Sequence, residues 1–254
     1  MSGGPIATRI VSLVPSSTES ICSFGAASRL VGCTRYCTEP KSGLAGVARI
    51  GGTKNPDREA ILRLQPDLVV ANGEENRRED LEWLADRVPL LIQTPRTIRA
   101  AVACLHELAQ RLGVAAAAGA FADVVAACLS NQRTPPEPRL RVFYAIWARP
   151  WMGTGCDTFV HDVLTTFGVE NAAAGSAARY PEVDPAALVA AGLDVVLLAS
   201  EPWSFDVDQQ AALAVRGPFG GARLVLCDGR DFCWHGVHMA VGLPRVAALL
   251  ASLR

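Results

Sequence analysis

Asp67-Leu68-Val69-Val70-Ala71-Asn72-Gly73-Glu74 and Asp194-Val195-Val196-Leu197-Leu198-Ala199-Ser200-Glu201 are two versions of one segment, set 127 positions apart in a chain of 254 residues. Each is a continuous apolar run of the kind buried on both faces of a parallel sheet. An aspartate opens each run, and a glutamate follows just past the strand end. Upstream, Pro56-Asp57 opens one helix and Asp184-Pro185 opens the other at nearly the same offset. Any two β/α units share such a pattern, so it supports duplication without requiring it. The glutamates fall on the loop side where open α/β sheets place their working residues.

Working outward, the first half alternates strand and helix. Arg9 to Val14 reads as a strand, and Ser16-Ser17-Thr18-Glu19 as a capping box that starts a helix ending near Phe24-Gly25. Leu30 to Cys33 is a strand. Asn55-Pro56 supplies an N-cap and N1 proline for a helix over Asp57 to Leu64. Helix Arg77 to Ala85, strand Leu90 to Gln93 and helix Thr97 to Leu112 complete a lobe over residues 1–113. Dense alanine from Val114 to Gln132 predicts one long helix, stopped by Thr134-Pro135-Pro136-Glu137-Pro138. We therefore expect a linking helix over 114–134 and a second β/α lobe over 135–254. Its strands are Arg141 to Ile146, Val195 to Ala199 and Arg223 to Cys227; its helices are Thr158 to Phe167, Pro185 to Ala191 and Val241 to Leu253.

Composition narrows the function. Half the residues are hydrophobic and the net charge is −1, which excludes disorder and argues against a nucleic-acid binder. No apolar run approaches the roughly 20 residues that span a bilayer. Met1-Ser2-Gly3-Gly4-Pro5 lacks the pattern of a secretory signal. The expected location is periplasmic or extracytoplasmic if an export signal was removed, and cytoplasmic if Met1 is the native start. The eight cysteines are irregularly spaced without a CxxC, and read as buried thiols rather than a disulfide framework.

A catalytic reading finds no G-x-S-x-G elbow, no H-E-x-x-H and no phosphate loop, so no enzyme is expected. Gly51-Gly52-Thr53 reads as a tight turn beside a ligand. His106 and His161 read as structural. His235-Gly236-Val237-His238, beside Cys233, is the one candidate metal cluster, weakened by Gly236 and by the lack of a second half-site. Cys33-x-x-x-Cys37 brackets Tyr36; a loop wall is the expected role, with a metal or redox pair as the alternative. Aromatic residues are only 6% of the chain, yet Tyr36, Trp147, Trp151, Trp203, Phe205, Phe232 and Trp234 fall at or just after strand ends. Rings so placed suit a concave site for a bulky, partly apolar ligand. Trp83 reads as core.

In order along the chain, several stretches together resemble one family. They are Arg9-Ile10-Val11-Ser12-Leu13-Val14-Pro15-Ser16-Ser17-Thr18-Glu19, Ile50-Gly51-Gly52-Thr53-Lys54-Asn55-Pro56, Pro66-Asp67-Leu68-Val69 and Glu74-Glu75-Asn76-Arg77, then Trp151-Met152-Gly153-Thr154-Gly155, Gly168-Val169-Glu170-Asn171 and Ser200-Glu201-Pro202. The resemblance is to the substrate-binding proteins of ABC importers for cobalamin and ferric siderophores, and nearer the cobalamin branch. It implies an α/β fold of two Rossmann-like β/α lobes joined by a long rigid α-helix, with the ligand cleft between lobes. It also implies a monomeric, non-enzymatic receptor that takes up a corrinoid and delivers it to an ABC transporter permease. Ligand contacts would come from Tyr36, Gly52, Thr53, Lys54, Trp147, Trp151, Trp234 and His235. Glu74 or Glu75 and Glu201 would meet arginines of the permease. No intrinsic cofactor is implied: corrinoid cobalt or ferric iron enters only within the ligand, His235 serving as axial ligand or stacking near the ring. A ferric-siderophore or haem binder of the same fold is the alternative. A cytosolic metal- or redox-linked protein using Cys33, Cys37, Cys233, His235 and His238 is the alternative of another class.

Overall fold

A computed structural model describes residues 5–131 and 139–254. The proline-rich stretch 134–138 and the last residues of the expected linking helix lie outside the described residues. The chain divides into two compact units. One comprises Met1–Pro95, Arg99–Val124 and His235–Ala240; the other comprises Arg96–Ile98, Val125–Trp234 and Val241–Arg254.

In the first unit, strands β1 (Ile10–Ser12), β2 (Leu30–Cys33), β3 (Ala48–Arg49), β4 (Leu68–Ala71) and β5 (Leu90–Ile92) form a parallel sheet in the order β3-β2-β1-β4-β5. Its helices are α1 (Pro15–Ser23), α2 (Arg58–Arg63), α3 (Arg78–Ala85), α4 (Ile98–Arg111) and α5 (Ala115–Ser130), the last two extending into residues of the second unit. Alternation along the central strands explains the two-sided core. Ile10, Leu68 and Val70 point into a cluster with Ile21, Leu105 and Leu108, whereas Val11, Val69 and Ala71 point into one with Ile61 and Leu84.

The second unit repeats the order with one strand fewer. Strands β6 (Arg141–Ala145), β9 (Glu170–Asn171), β10 (Val195–Ala199) and β11 (Arg223–Cys227) form the parallel sheet β11-β10-β6-β9. A short antiparallel hairpin, β7 (Trp147–Ala148) and β8 (Trp151–Met152), follows β6. The helices here are α6 (Phe159–Thr166), α7 (Pro185–Ala190), α8 (Val207–Arg216), α9 (Gly229–Cys233) and α10 (Met239–Ser252), which begins within the first unit's residues.

One device braces both sheets. Asp67 accepts the backbone N–H of Thr8 and Arg9 at 2.8 and 2.9 Å, and Asp194 accepts that of Arg141 at 2.7 Å. Arg9 Nη2 donates to Leu64 O at 2.6 Å, and Arg141 Nη1 to Ala191 O at 2.7 Å. Leu64 and Ala191 follow the last residues of α2 and α7 and, like the two aspartates, stand 127 positions apart. In each unit, therefore, an arginine at the start of one central strand holds the end of the helix that leads into the neighbouring strand, while the aspartate opening that neighbour holds the arginine's own strand entry.

Local starts differ from the sequence reading in two places. The capping box at Ser16 does not form: α1 begins at Pro15 with Val14 as a cap lacking a side-chain bond, and Glu19 turns instead to His238. The cap of α2 is Asp57, which accepts from Ala60 N at 2.8 Å, because Pro56 is drawn into a bridge with Gly51. The short elements β3, β7, β8, β9, α8 and α9 are absent from the sequence reading.

Burial raises the carboxyl pKa of Asp67, but the hydrogen bonds from Thr8 and Arg9 outweigh it and hold the group below its usual value. Such a group contributes stability above its unfolded pKa and loses it as pH falls through the folded one. Asp67→Asn should cost about 1 kcal/mol at neutral pH, the charge contribution being discounted for exposure. That difference should begin to shrink at about pH 4, the unfolded value, and disappear only as pH falls through the lower folded one, read in urea unfolding curves at pH 7 and at steps below pH 4.

Candidate functional site

Chain order sets where each sheet opens. In the first unit the chain winds outward from β1 through β2 and β3, then returns to the other side of β1 with β4, so the crevice lies at the carboxyl ends of β1 and β4. The loops there are held by one buried asparagine. Asn76 Oδ1 accepts from Asn72 N at 2.9 Å, and its Nδ2 donates to Thr53 O at 2.9 Å and Leu13 O at 3.4 Å. The exits of β1 and β4 and the turn after β3 thereby share a single side chain. Asn72 Oδ1 in turn accepts from the backbone of Glu74 and Glu75 at 2.7 and 3.1 Å. Lys54 Nζ donates to the Glu74 carbonyl.

Glycine is required in this turn. Gly51 has φ +96°, and a Cβ on Gly52 would stand 2.5 Å from Asn55 Oδ1 and 3.3 Å from the Tyr36 ring. Arg35 Nη2 donates to Asn55 Oδ1 at 3.2 Å, and its guanidinium lies 5.5 Å from the centre of the Tyr36 ring. Tyr36 is 55% exposed on this support. The structure thus brings Tyr36, Gly52, Thr53 and Lys54 together, with Glu74 half-buried and Glu75 exposed on the neighbouring loop. Asn72 and Asn76, which organise the cluster, went unread because an asparagine after a strand looks like any turn residue.

In the second unit the equivalent crevice is at the carboxyl ends of β6 and β10. Trp147, 38% exposed, stands edge-on to Trp203 with ring centres 4.7 Å apart. Trp151 stacks on Phe205 at 6.0 Å and meets Phe219 edge-on at 4.6 Å. A groove of about 290 Å³ lies here, lined by Arg149, Trp151, Trp203, Phe205, Gln209 and Arg216 among others. Phe205 and Phe232 are buried in the core, contrary to the expectation of ligand-facing rings, Phe232 packing 5.2 Å from Tyr144. A position after a strand does not decide which way a ring turns. Trp83 packs on the first unit's core as expected, with Arg58 and Arg87 over its ring.

Glu201 is half-buried. It accepts from Cys233 Sγ at 3.3 Å and from Trp234, whose ring lies 5.9 Å from the Arg230 guanidinium. Burial pushes its carboxyl pKa up against those hydrogen bonds. The adjoining loop is fixed by Arg230 Nη2 donating to Asp228 at 2.6 Å and Gly229 N donating to Ser200 Oγ at 3.0 Å.

The candidate metal residues point to separate partners. Cys233 serves Glu201, while His238 Nδ1 lies 3.2 Å from Glu19. No set of three His, Cys, Asp or Glu side chains is placed to hold an ion among the described residues. Gly236, at φ +95°, packs so tightly on Ser20 that a Cβ would fall 2.3 Å from Ser20 Oγ. His235, expected at the ligand, is buried; its Nε2 has no hydrogen-bond partner among the described residues. All eight cysteines are free thiols, and Cys33 and Cys37 are buried in the core rather than forming a loop wall.

Comparison with known proteins gives three findings. A family model described as periplasmic binding protein matches residues 10–213. A vitamin B12-binding protein of Vibrio campbellii is 30% identical over 188 residues, 71% of this chain and 66% of that protein. The chain therefore spans just under two thirds of that relative's length. Among solved structures, the periplasmic vitamin B12 binding protein BtuF of Vibrio cholerae superposes with a TM-score of 0.77 at 19% identity, covering 98% of this chain and 99% of that one. The periplasmic heme-binding protein RhuT from Roseiflexus sp. RS-1 gives 0.80 at 22% identity over 97% and 99%. These two structures share the fold. No helix among the described residues is long and apolar enough to cross a membrane.

Burial lowers the His235 pKa to about 4, so the folded state excludes a proton that the unfolded chain accepts near pH 6.5. Its contribution is fully present above the unfolded value and is lost as pH falls from there through the folded one. Unfolding free energy should drop by about 3 kcal/mol from pH 7 to pH 4 through this residue. His235→Gln should flatten that part of the profile.

Proposed function

Because the chain belongs to the periplasmic binding protein family, we propose that it is a non-catalytic receptor for a cobalamin-like corrinoid, which it passes to an ABC importer permease outside the cytoplasmic membrane. The observation that carries this reading is the exposed Tyr36 ring, seated on the asparagine-braced Gly52-Thr53-Lys54 turn at the open end of the first sheet. A corrin is a broad ring system rimmed with amides. An exposed aromatic face beside backbone N–H and C=O groups meets both halves of that chemistry. Trp147 offers a second exposed ring, and Trp151 and Trp234 offer half-buried ones. The names of the sequence relatives favour the same ligand. Cobalt arrives within the corrin.

Glu74 and Glu201 would present one carboxylate per unit to basic pockets of a two-fold permease, with Glu75 beside the first. Such pairs set docking register and association rate more than affinity. A haem-like reading has one observation in its favour: Arg149 and Arg216 line the groove beside Trp151 and Trp203 and suit an anionic macrocycle.

Titration calorimetry with cyanocobalamin should give one site of micromolar or tighter affinity, and Tyr36→Ala and Trp147→Ala should each weaken it about tenfold. Haemin should compete poorly. No heat with cyanocobalamin, or tighter binding of haemin, overturns the corrinoid assignment. With the cognate permease in proteoliposomes, Glu74→Arg should sharply reduce receptor-stimulated ATP hydrolysis while leaving corrinoid affinity within about twofold, since rim charges act on encounter.

A further inference from the structure

Gly52 has no side chain, and three side chains converge on the space that a Cβ would fill. That atom would stand 2.5 Å from Asn55 Oδ1, 2.9 Å from Arg35 Nη2 and 3.3 Å from the Tyr36 ring. Two backbone bonds fix the frame: Arg35 N donates to Gly51 O at 2.8 Å, and Gly52 N to Asn55 O at 3.3 Å. Asn55 Oδ1 then accepts from Arg35 Nη2 at 3.2 Å, and the guanidinium carbon lies 5.5 Å from the centre of the Tyr36 ring. Arg35 and Tyr36 are both exposed. An accessible guanidinium is thus held in place beside an accessible ring.

The charge of Arg35 has no counter-charge there. Among the described residues no carboxylate pairs with it; its acceptor is a neutral amide and its other neighbour a neutral ring. Its Nε and Nη1 meet no protein acceptor among the described residues either. The neighbouring cations are engaged. Arg49 Nη1 donates to Cys33 Sγ at 2.9 Å, Thr34 O at 3.0 Å and Cys37 O at 2.6 Å, and so braces the Tyr36 loop. Lys54 turns to the Glu74 carbonyl, with the Glu75 carboxyl nearby. A guanidinium fork that is already placed and has donors to spare suits an oxyanion, which it meets at two points without first giving up side-chain freedom.

The corrinoid reading, on which this inference rests, leaves open which corrinoids are taken. The amides on the rim of a corrin are neutral. A complete corrinoid carries one anionic side group, the phosphodiester that ties its lower base to the ring system. We propose that Arg35 grips this phosphodiester and is thereby a specificity-determining residue, selecting complete corrinoids over those that have lost the nucleotide loop. Tyr36 offers the apolar contact, and the guanidinium beside it supplies the charge-assisted bonds. Asn55 is the positioning residue: its Oδ1 holds one arm of the guanidinium and leaves the others for the ligand. Gly52 is required because a side chain there would occupy the place where the amide, the guanidinium and the ring meet.

The test is calorimetry on the full chain with cyanocobalamin, which has the phosphodiester, and dicyanocobinamide, which lacks it. The wild type should bind cyanocobalamin about tenfold tighter or more. Arg35→Met keeps the stem and removes the charge, and should lower that affinity ratio about tenfold. Arg35→Lys keeps a charge without the fork and should fall between the two. The ratio is the readout because a residue that merely steadies Tyr36 would weaken both ligands alike. Raising sodium chloride from about 0.05 M to about 0.5 M should weaken cyanocobalamin more than dicyanocobinamide in the wild type. That salt series decides alone if Arg35→Met fails to fold. Equal wild-type affinity for the two ligands, an unchanged ratio in Arg35→Met, or parallel salt dependence overturns the proposal while the corrinoid reading stands. No heat with either ligand overturns the corrinoid reading and this inference with it.

Discussion

Each unit depends on a parallel sheet buried on both faces, and that burial dictates where polar chemistry can go. Val11, Val69 and Ala71 face one core while Ile10, Leu68 and Val70 face the other, leaving no side of the central strands for a ligand. The open groups are at the strand ends. At the amino ends they are closed off by the Asp67–Arg9 and Asp194–Arg141 braces, which hold strand entry and helix exit together. Only the carboxyl ends remain available, and the loops carrying Tyr36, Lys54, Glu74, Trp147 and Glu201 all leave from there.

The same constraint explains what could be read from sequence. Leu30–Cys33, Leu68–Ala71, Val195–Ala199 and Arg223–Cys227 are placed to the residue, because a two-sided apolar run bounded by charge has few other readings. The elements that went unread are short or amphipathic without a core. β3, β7, β8 and β9 have two residues each, and α8 buries none of its side chains, so neither length nor apolar period announces them. The capping box at Ser16 failed for a different reason. Glu19 has a tertiary partner in His238, more than two hundred residues away, and no local rule anticipates that.

The candidate site was legible in which residues stand together more than in which way their side chains turn. Tyr36 and the glycine turn come together because backbone geometry forces it: positive φ at Gly51 and no room for a Cβ at Gly52. Ring direction has no comparable local signature. Phe205 and Phe232 sit at strand ends like Trp147, yet pack inward against Trp151 and Tyr144. His235 follows the same logic, drawn into the interior by the tight seat of Gly236 on Ser20.

Glu74 and Glu201 show how a sequence repeat diverges in its physics. They occupy matching positions after β4 and β10, but their surroundings differ. Around Glu74 the loop is held through its backbone, by Asn72 Oδ1 at the amide and Lys54 at the carbonyl. Around Glu201 the carboxylate itself is engaged, by Cys233 and Trp234, and burial raises its pKa. The two carboxylates are therefore unlike. Engaging Glu201 means exchanging existing hydrogen bonds for new ones, and its charge is lost at a higher pH than an ordinary glutamate's. The repeat therefore keeps a glutamate at the same place in each unit while changing what holds it: the backbone around Glu74, the carboxylate itself at Glu201.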